Sequence, residues 1–536
     1  MGILVKYKSY YLSLFSLILT ACTQESAPIG MASVSTPRVL NELQIIKASN
    51  ANYGDQFAVG GTLLGDSVVM SADGSTLAVG ATFEEGGSAG INGDQDSNLL
   101  YGSGAVYVYD NQDGQWVQSA YIKPFNPGIT DNFGYSVEIS ATGDTLVVSS
   151  VFEGSSQTGV NPNSEDDILP QAGAVYVFQR NNGEWTQEAY IKAPNTGHLP
   201  EDPMALSDGD QFGFHLSITA DGNTIAISAI TEDSAATGLN GDMQNNEAVS
   251  AGAVYIYHRD ASGWNFSDYI KAGNAGGGDL FGYSLSFSGD GSVLAIGGYD
   301  EDGSLLSNNE VQDDDVGGMG TVYIFELNDN SNWIQTAYLK ASYQERNDSL
   351  GVVVDLSDDG RTLVTAALDE DSMVTGVNPV PHPDWEDDLS TGGVYVFIKD
   401  QNDNWVQEAY IKASNTGQDD WFGSRLELAP SGDVLLVSAQ LEDGDSQGID
   451  GAQDNDNAQE SGAVYLFTRD GGTWTQRHYF KAKNTEAYDE FGSTLSTNFD
   501  GSLIAIGARG EDSAAGAGPS DNSVLESGAA YLFSYD

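Results

Sequence analysis

The chain has 536 residues, with 20 Lys and Arg against 78 Asp and Glu, a formal net charge of −58. So acidic a chain excludes nucleic acid as a partner, because phosphate recognition needs Lys and Arg to displace counterions, and anionic lipid surfaces repel it. The 64 Gly, the frequent Val, Tyr and Phe and the absence of sustained helical periodicity point to an all-β protein, and a single Cys leaves no disulfide to form.

In chain order, residues 1–21 come first, with Lys6 and Lys8 and then an apolar stretch from Tyr10 to Leu19 that is too short to span a bilayer. The stretch ends Leu19-Thr20-Ala21-Cys22. This resembles the bacterial lipoprotein signal peptide, in which a small residue precedes an obligatory Cys that is lipidated and becomes the mature N-terminus. The resemblance implies an acyl anchor at Cys22. Because Thr23 rather than Asp follows, it also implies sorting to the outer membrane of the cell envelope, with the body in the periplasm or surface-exposed. Residues 22–38, rich in Ser, Thr, Ala and Pro, read as a flexible tether.

From 39 to 536 the same fragments return seven times in the same order. Each copy opens on a Lys (Lys47, Lys123, Lys192, Lys271, Lys340, Lys412, Lys481), giving a period of 69 to 79 residues. Then come Phe-Gly or Leu-Gly, a turn Gly, an apolar run such as Leu-Ala-Val-Gly-Ala, a Gly-Ala-Val-Tyr-Val-Phe run, and a Trp that leads to the next Lys. From the first of these Gly (Gly65, Gly134, Gly213, Gly282, Gly351, Gly423, Gly492) to the turn Gly the distance is nine residues in every copy, the spacing of a strand, a tight turn and its hairpin partner. Four strand-like runs per repeat predict a seven-bladed β-propeller of four-stranded antiparallel blades. The last copy stops after Gly528 to Phe533 without a fourth strand, and residues 40–48 align with the fourth strand at 116–124, Leu40 standing for Trp116. The N-terminal strand is therefore expected to complete the last blade. The loop between second and third strands and the link after the fourth vary in length, and in a meander both emerge on one face, where repeat proteins place binding surfaces.

Phe-Gly at the start of a first strand and Val-Gly-Ala after the second resemble the FG-GAP repeat of integrin α-subunit propellers, and more closely its bacterial branch. The resemblance covers residues 40–536 and implies a propeller fold with an adhesion or scaffolding role. It departs where integrin-type propellers carry calcium ligands, because the first hairpin turn is cut to forms such as Ser71-Ala72-Asp73-Gly74. One Asp does not supply the six to eight oxygens that calcium takes.

The second-to-third-strand loops (84–103, 153–172, 232–251, 300–319, 369–391, 442–461, 511–527) hold 37 Asp or Glu and no Lys or Arg. Five share a sub-pattern ending in an aliphatic, Asn or Asp, and Gly or Pro, which reads either as an Asx turn bonding its own backbone or as a divalent-cation loop. For the second reading the densest carboxylates, Asp443, Asp445, Asp450, Asp454 and Asp456, are the candidate Ca2+ ligands. Acids two residues before Phe/Leu-Gly (Asp131, Asp210, Asp279, Asp348, Asp420, Asp489) read as backbone caps, with the first blade, interrupted by an insertion around Asp55, as the exception. The repeated lysines read as partners of loop carboxylates. The five His occupy unrelated repeat positions, and no nucleophile elbow or phosphate loop is present. The expected function is thus a non-enzymatic envelope lipoprotein whose acidic loop face meets a protein, a glycan or a cation-bridged ligand. The alternative is a carbohydrate-active hydrolase with a carboxylate pair in the central depression. Trp385 and Trp421, the two Trp outside the repeat column, mark the candidate binding aromatics.

Overall fold

A computed structural model describes residues 38–59, 66–163, 166–197, 209–302, 317–380, 389–516 and 521–536. Cys22, with the leader and tether, and Trp385 lie outside the described residues. Among the described residues of the unit Val39–Asp536 the regular elements are all β-strands, arranged in seven antiparallel sheets. Blade 1 is Val68–Met70, Thr76–Ala81, Ala105–Gln112 and Gln115–Ile122. Blade 2 is Phe133–Ile139, Thr145–Ser150, Ala174–Asn181 and Glu184–Lys192; blade 3 is Phe212–Ile218, Thr224–Ala229, Ala253–Asp260 and Gly263–Ile270. Blade 4 is Phe281–Phe287, Val293–Gly298, Thr321–Leu327 and Trp333–Leu339; blade 5 is Val354–Leu356, Thr362–Ala367, Gly393–Lys399 and Trp405–Lys412. Blade 6 is Phe422–Leu428, Val434–Ala439, Ala463–Asp470 and Thr473–Phe480. In blade 7, Phe491–Thr497, Leu503–Ala508 and Ala529–Tyr535 are joined by the first described strand, Leu40–Ile46, in register from Leu40 opposite Tyr535 to Ile46 opposite Ala530. The molecule is a seven-bladed β-propeller.

Two glycine positions show why the fragments repeat. Gly104, which leads the third strand of blade 1, bridges to Phe133 of blade 2, and a Cβ there would lie 2.0 Å from the Phe133 carbonyl oxygen. Gly134 has φ +94°, and its Cβ would meet the Ala105 carbonyl at 2.9 Å. Adjacent blades thus approach backbone to backbone at these two positions, an approach and a φ that Gly adopts without strain. Beside this contact Phe133 packs edge-on to Tyr176 at 5.4 Å, and the pair recurs as Phe212–Tyr255, Phe281–Tyr323, Phe422–Tyr465 and Phe491–Tyr531. Edge-to-face pairs add about 0.5–1.5 kcal/mol each beyond their burial.

Blade 1 corrects the sequence register. The partner of Tyr107 is Phe57, at 5.4 Å, and Gly528 abuts Phe57 as Gly104 abuts Phe133. Ala58, with φ +66°, therefore replaces the Gly of Phe-Gly. The insertion falls after this contact and before Val68, so Phe57-Ala58 docks against blade 7 whereas the first strand keeps the spacing counted from Gly65. Asp55 accordingly caps the backbone like its counterparts, taking the Asn52 N–H at 2.8 Å.

The first hairpin turns form a backbone circle around the axis. Ala141, Ala220, Gly289 and Asp358 each donate an N–H to the carbonyl at the same place in the next turn, at 2.9–3.0 Å. Pro430 has no N–H, and Ser431 donates in its stead to Phe499 (3.0 Å). Phe499 donates to Ala72 (2.9 Å) and Asp73 to Ala141 (3.2 Å), which completes the circle.

Candidate functional site

Beneath the long loops six of the seven blades bury an ion pair. The repeated Lys at the end of the fourth strand meets the Glu that opens the second-to-third-strand loop: Lys123–Glu84 (2.8 Å), Lys192–Glu153 (2.6 Å), Lys271–Glu232 (2.8 Å), Lys412–Glu370 (2.5 Å), and also Lys47–Glu511 and Lys481–Glu442. A Tyr hydroxyl donates to the same carboxylate, as Tyr269 does to Glu232 at 2.8 Å, and an Asn amide joins it, as Asn195 does at 3.2 Å. In blade 4 Lys340 donates to the Gly320 carbonyl at 2.8 Å instead. Burial, outweighing the attraction of Glu301, holds Lys340 down at about 8, and burial holds Glu301 up at about 8. These lysines are architectural: a buried charge needs a partner and further hydrogen bonds.

The acids before Phe/Leu-Gly cap the start of each blade. Asp131 accepts the Gly128 N–H (2.7 Å), Asp420 the Gly417 N–H (2.8 Å) and Asp489 the Glu486 N–H (2.8 Å). Burial raises Asp55, Asp131, Asp420 and Asp489 to about 7 and Asp348 to about 8. The recurrent Asn/Asp of the loops is likewise bonded to backbone. Asn92, Asn161, Asn240 and Asn378 each accept the N–H of a fourth-strand Tyr at 2.9 Å, and Asp450 accepts that of Tyr479 at 3.2 Å. All five have φ between 50° and 55°, and the aliphatic residue before each pairs with the fourth strand, as Val160 does with Ile191 and Ile449 with Phe480.

Of the proposed calcium ligands, Asp443 accepts the Glu460 N–H (2.7 Å), Asp445 the Asn457 amide (3.1 Å) and Asp450 also His478 Nδ1 (3.0 Å), while Asp454 and Asp456 are exposed. Among the described residues no three of His, Cys, Asp and Glu gather closely enough to hold a metal ion.

The axis carries two cavities. The first, about 410 Å³, lies at the hairpin-turn end and is lined by the first strands of all seven blades. One repeat position, four residues after the Gly of Phe/Leu-Gly, faces it: Val69, Glu138, Ser217, Ser286, Asp355, Glu427 and Ser496. Five of these side chains reach the next blade. Ser217 accepts the Phe287 N–H (3.0 Å), Ser286 that of Leu356 (3.0 Å), Asp355 that of Leu428 (2.7 Å), Glu427 that of Thr497 (2.7 Å) and Ser496 that of Met70 (2.9 Å). Val69 has no acceptor, and Glu138 takes the N–H of its own neighbour Ile139. Burial lifts Glu138 and Glu427 well above the carboxylate range and Asp355 to about 7. Asp66 is held low, because its hydrogen bond to His215 (3.2 Å) and the charges of His215 and Arg425 outweigh burial. Sequence reasoning passed over this column. Its signal was a polar residue at six of seven copies inside otherwise apolar strands.

The second cavity, about 330 Å³, opens at the variable-loop end between blades 4 and 7. Trp421 lines it, with Tyr283, Tyr299, Arg425, Gln440, Arg509 and one carboxylate, Asp369. Tyr283 and Tyr299 stack at 4.5 Å. Arg425 is buried and donates to the Ser424 carbonyl (2.7 Å); Arg509 pairs with Glu490 (2.6 Å). The aromatic platform and the ring of raised carboxyls therefore sit at opposite ends of the axis.

Among known proteins, the FG-GAP repeat family matches residues 405–467 and 474–533. Each match runs from a fourth-strand Trp to the third strand of the following blade, one strand out of phase with the sheets. No curated protein matches the chain. Among solved structures, a chain of Kuenenia stuttgartiensis hydrazine synthase is similar at 12% identity over 84% of this chain and 94% of that one, with a TM-score of 0.43. The chain is thus a seven-bladed β-propeller in which two stretches, 405–467 and 474–533, match the FG-GAP repeat.

Proposed function

We propose that this propeller is a non-enzymatic binding scaffold of the bacterial cell envelope, held to the outer membrane through a lipidated Cys22, and that its ligand docks on the variable-loop face. The observation that carries the reading is a division of labour within each repeat. The recurrent polar groups (the Lys–Glu pairs, the capping Asp, the turn Asn) are consumed by architecture, whereas the variable loops add acids that the repeat does not require and that stay exposed, with no Lys or Arg beside them, among them Asp94, Asp96, Asp242, Glu247, Asp454 and Asp456. Exposed Leu99, Tyr101, Val249 and Leu525 stand among them, the mix of apolar and charged surface that marks interaction sites.

The test is capture from envelope extract by the immobilised full-length mature protein, with those six exposed acids changed to Asn or Gln in a second bait. A partner retained by the first and lost by the second supports the reading; equal capture overturns it. Cys22→Ser abolishes acyl labelling in cells if the anchor is as proposed, and unchanged labelling removes it.

A further inference from the structure

We propose that the cavity at the variable-loop end of the axis is a binding site for a single carboxylate-bearing sugar residue, such as the uronic acid end of a glycan. The inference deepens the reading of the variable face as the docking face. It starts from where sevenfold repetition breaks. At the residue after the Gly of Phe/Leu-Gly, blades 2 to 4 carry Tyr135, Phe214 and Tyr283, whose rings pack in a row at 5.6 and 5.3 Å. Blades 5 to 7 carry Val352, Ser424 and Ser493 there. One half of the channel mouth is filled by aromatic rings, and the other half is left open.

Into the open half the chain places residues that its own repeats do not require. Arg425 stands where three other blades have Ser67, Ser136 and Ser284, and Arg509 where others have Val151, Ile230 and Leu368. In a chain of net charge −58 these are two guanidiniums lining one cavity. Burial holds Arg425 below its ordinary range, with the charge of Asp66 opposing the shift and that of Arg509 adding to it. Arg presents a planar fork that matches a carboxylate. Trp421 has φ +56°, in the column where blade 5 has Ser349 and blade 4 Leu280. The left-handed φ recurs at this column in every blade, from +50° to +59°, so what sets the position apart is the indole ring of Trp421.

The remaining chemistry selects a sugar over a flat aromatic acid. Trp421 and Tyr299 offer ring faces for the C–H side of a pyranose, while the Asp369 carboxylate and the Gln440 amide suit hydroxyl groups. The volume of about 330 Å³ lies within the range of small-molecule sites. The acidic loops around the mouth disfavour polyanions, and their field is screened within about 8 Å at physiological salt, so one terminal acid is admitted where a charged polymer is not.

Ligand-observed saturation-transfer NMR on the full-length mature protein tests this with glucuronate, glucose and benzoate as probes. Trp421→Ser and Arg425→Ser each import a residue that this chain already uses at the same place, and thermal melting reports whether each variant folds. Glucuronate is expected to bind, glucose at least about tenfold more weakly, and Trp421→Ser to remove the glucuronate signal in a protein that melts cooperatively. No glucuronate binding at about 10 mM, equal binding of glucose, preference for benzoate, or binding unchanged in Trp421→Ser overturns the proposal. Arg425→Ser reads the carboxylate contact: its loss of preference for glucuronate over glucose supports the site, and a retained preference overturns it. A protein that captures an envelope partner but ignores glucuronate sinks this inference alone, while one that binds glucuronate but captures no partner sinks the docking-face reading alone.

Discussion

The two ends of the propeller axis are built by different means. At the hairpin-turn end, backbone N–H and carbonyl groups join turn to turn in a closed circle, and one column of short side chains adds a second ring of bonds. That end tolerates sequence change: Pro430 removes a donor and the Ser431 N–H takes its place. At the variable-loop end the loops rest on side chains, on a buried Lys and Glu in each of six blades and on capping carboxyls. There the backbone is free to vary in length because the anchoring is done below it. A propeller thus keeps its fold at one end and its individuality at the other, and the comparison yields an ordered set of tests.

The largest effect is expected at the variable-loop end. Lys271→Ala leaves Glu232 buried without its cation and should cost about 3–5 kcal/mol in urea unfolding, while Lys271→Met with Glu232→Leu should recover most of it. A single-variant loss below about 1 kcal/mol would mean that water or another group already compensates the charge.

Next comes pH. Asp55, Asp131, Asp420 and Asp489 titrate at about 7 in the fold and Asp348 at about 8, against about 3.9 when unfolded. Between these values the folded chain holds more protons than the unfolded one, so stability is full below about pH 4 and is lost as pH rises through about 7–8. The Tm should fall by at least about 5 °C from pH 5 to pH 8, and replacing Asp131 and Asp420 with Asn, which keeps an acceptor for the capped N–H, should flatten the slope. A Tm that rises over this interval contradicts the assignment.

The hairpin-turn end should respond more mildly. Ser217→Ala removes the acceptor of the Phe287 N–H and should cost about 1–3 kcal/mol, whereas Asp355→Asn retains an acceptor and should cost less. The smallest change belongs to Asp450→Asn. Four equivalent loops already use Asn to accept the same Tyr N–H, so stability should stay within about 0.5 kcal/mol. A larger loss, together with stabilisation by calcium of the wild type but not of the variant, would return Asp450 to the ligand role that the loop acids suggested.

Much of the fold was legible because the repeat is written in residues with single physical uses: Gly where backbones touch, Trp and Tyr where blades pack, Lys where a buried Glu waits. The register of blade 1 was misread for the same reason. Gly65 kept the nine-residue spacing to Gly74, while Ala58 took over the positive-φ contact without a Gly to announce it. The axial column was overlooked because Ser217, Asp355 and Glu427 alternate with apolar residues as any half-exposed strand does. Only closure of the ring turns that exposed side inward. Trp421 stood out as one of two Trp that did not repeat, but Arg425 and Arg509 did not stand out, since replacing Ser and Val carries meaning only once the first strands surround an axis.

The most direct test of this division between the two ends is site-specific photocrosslinking in cells. A photoreactive residue at Leu99, 79% exposed on the variable loops, is compared with one at Phe499, 47% exposed on the hairpin turns. A discrete crosslinked partner from position 99 and none from position 499 is the result expected; the reverse pattern, or equal crosslinking from both, would contradict the placement of binding at the variable-loop end.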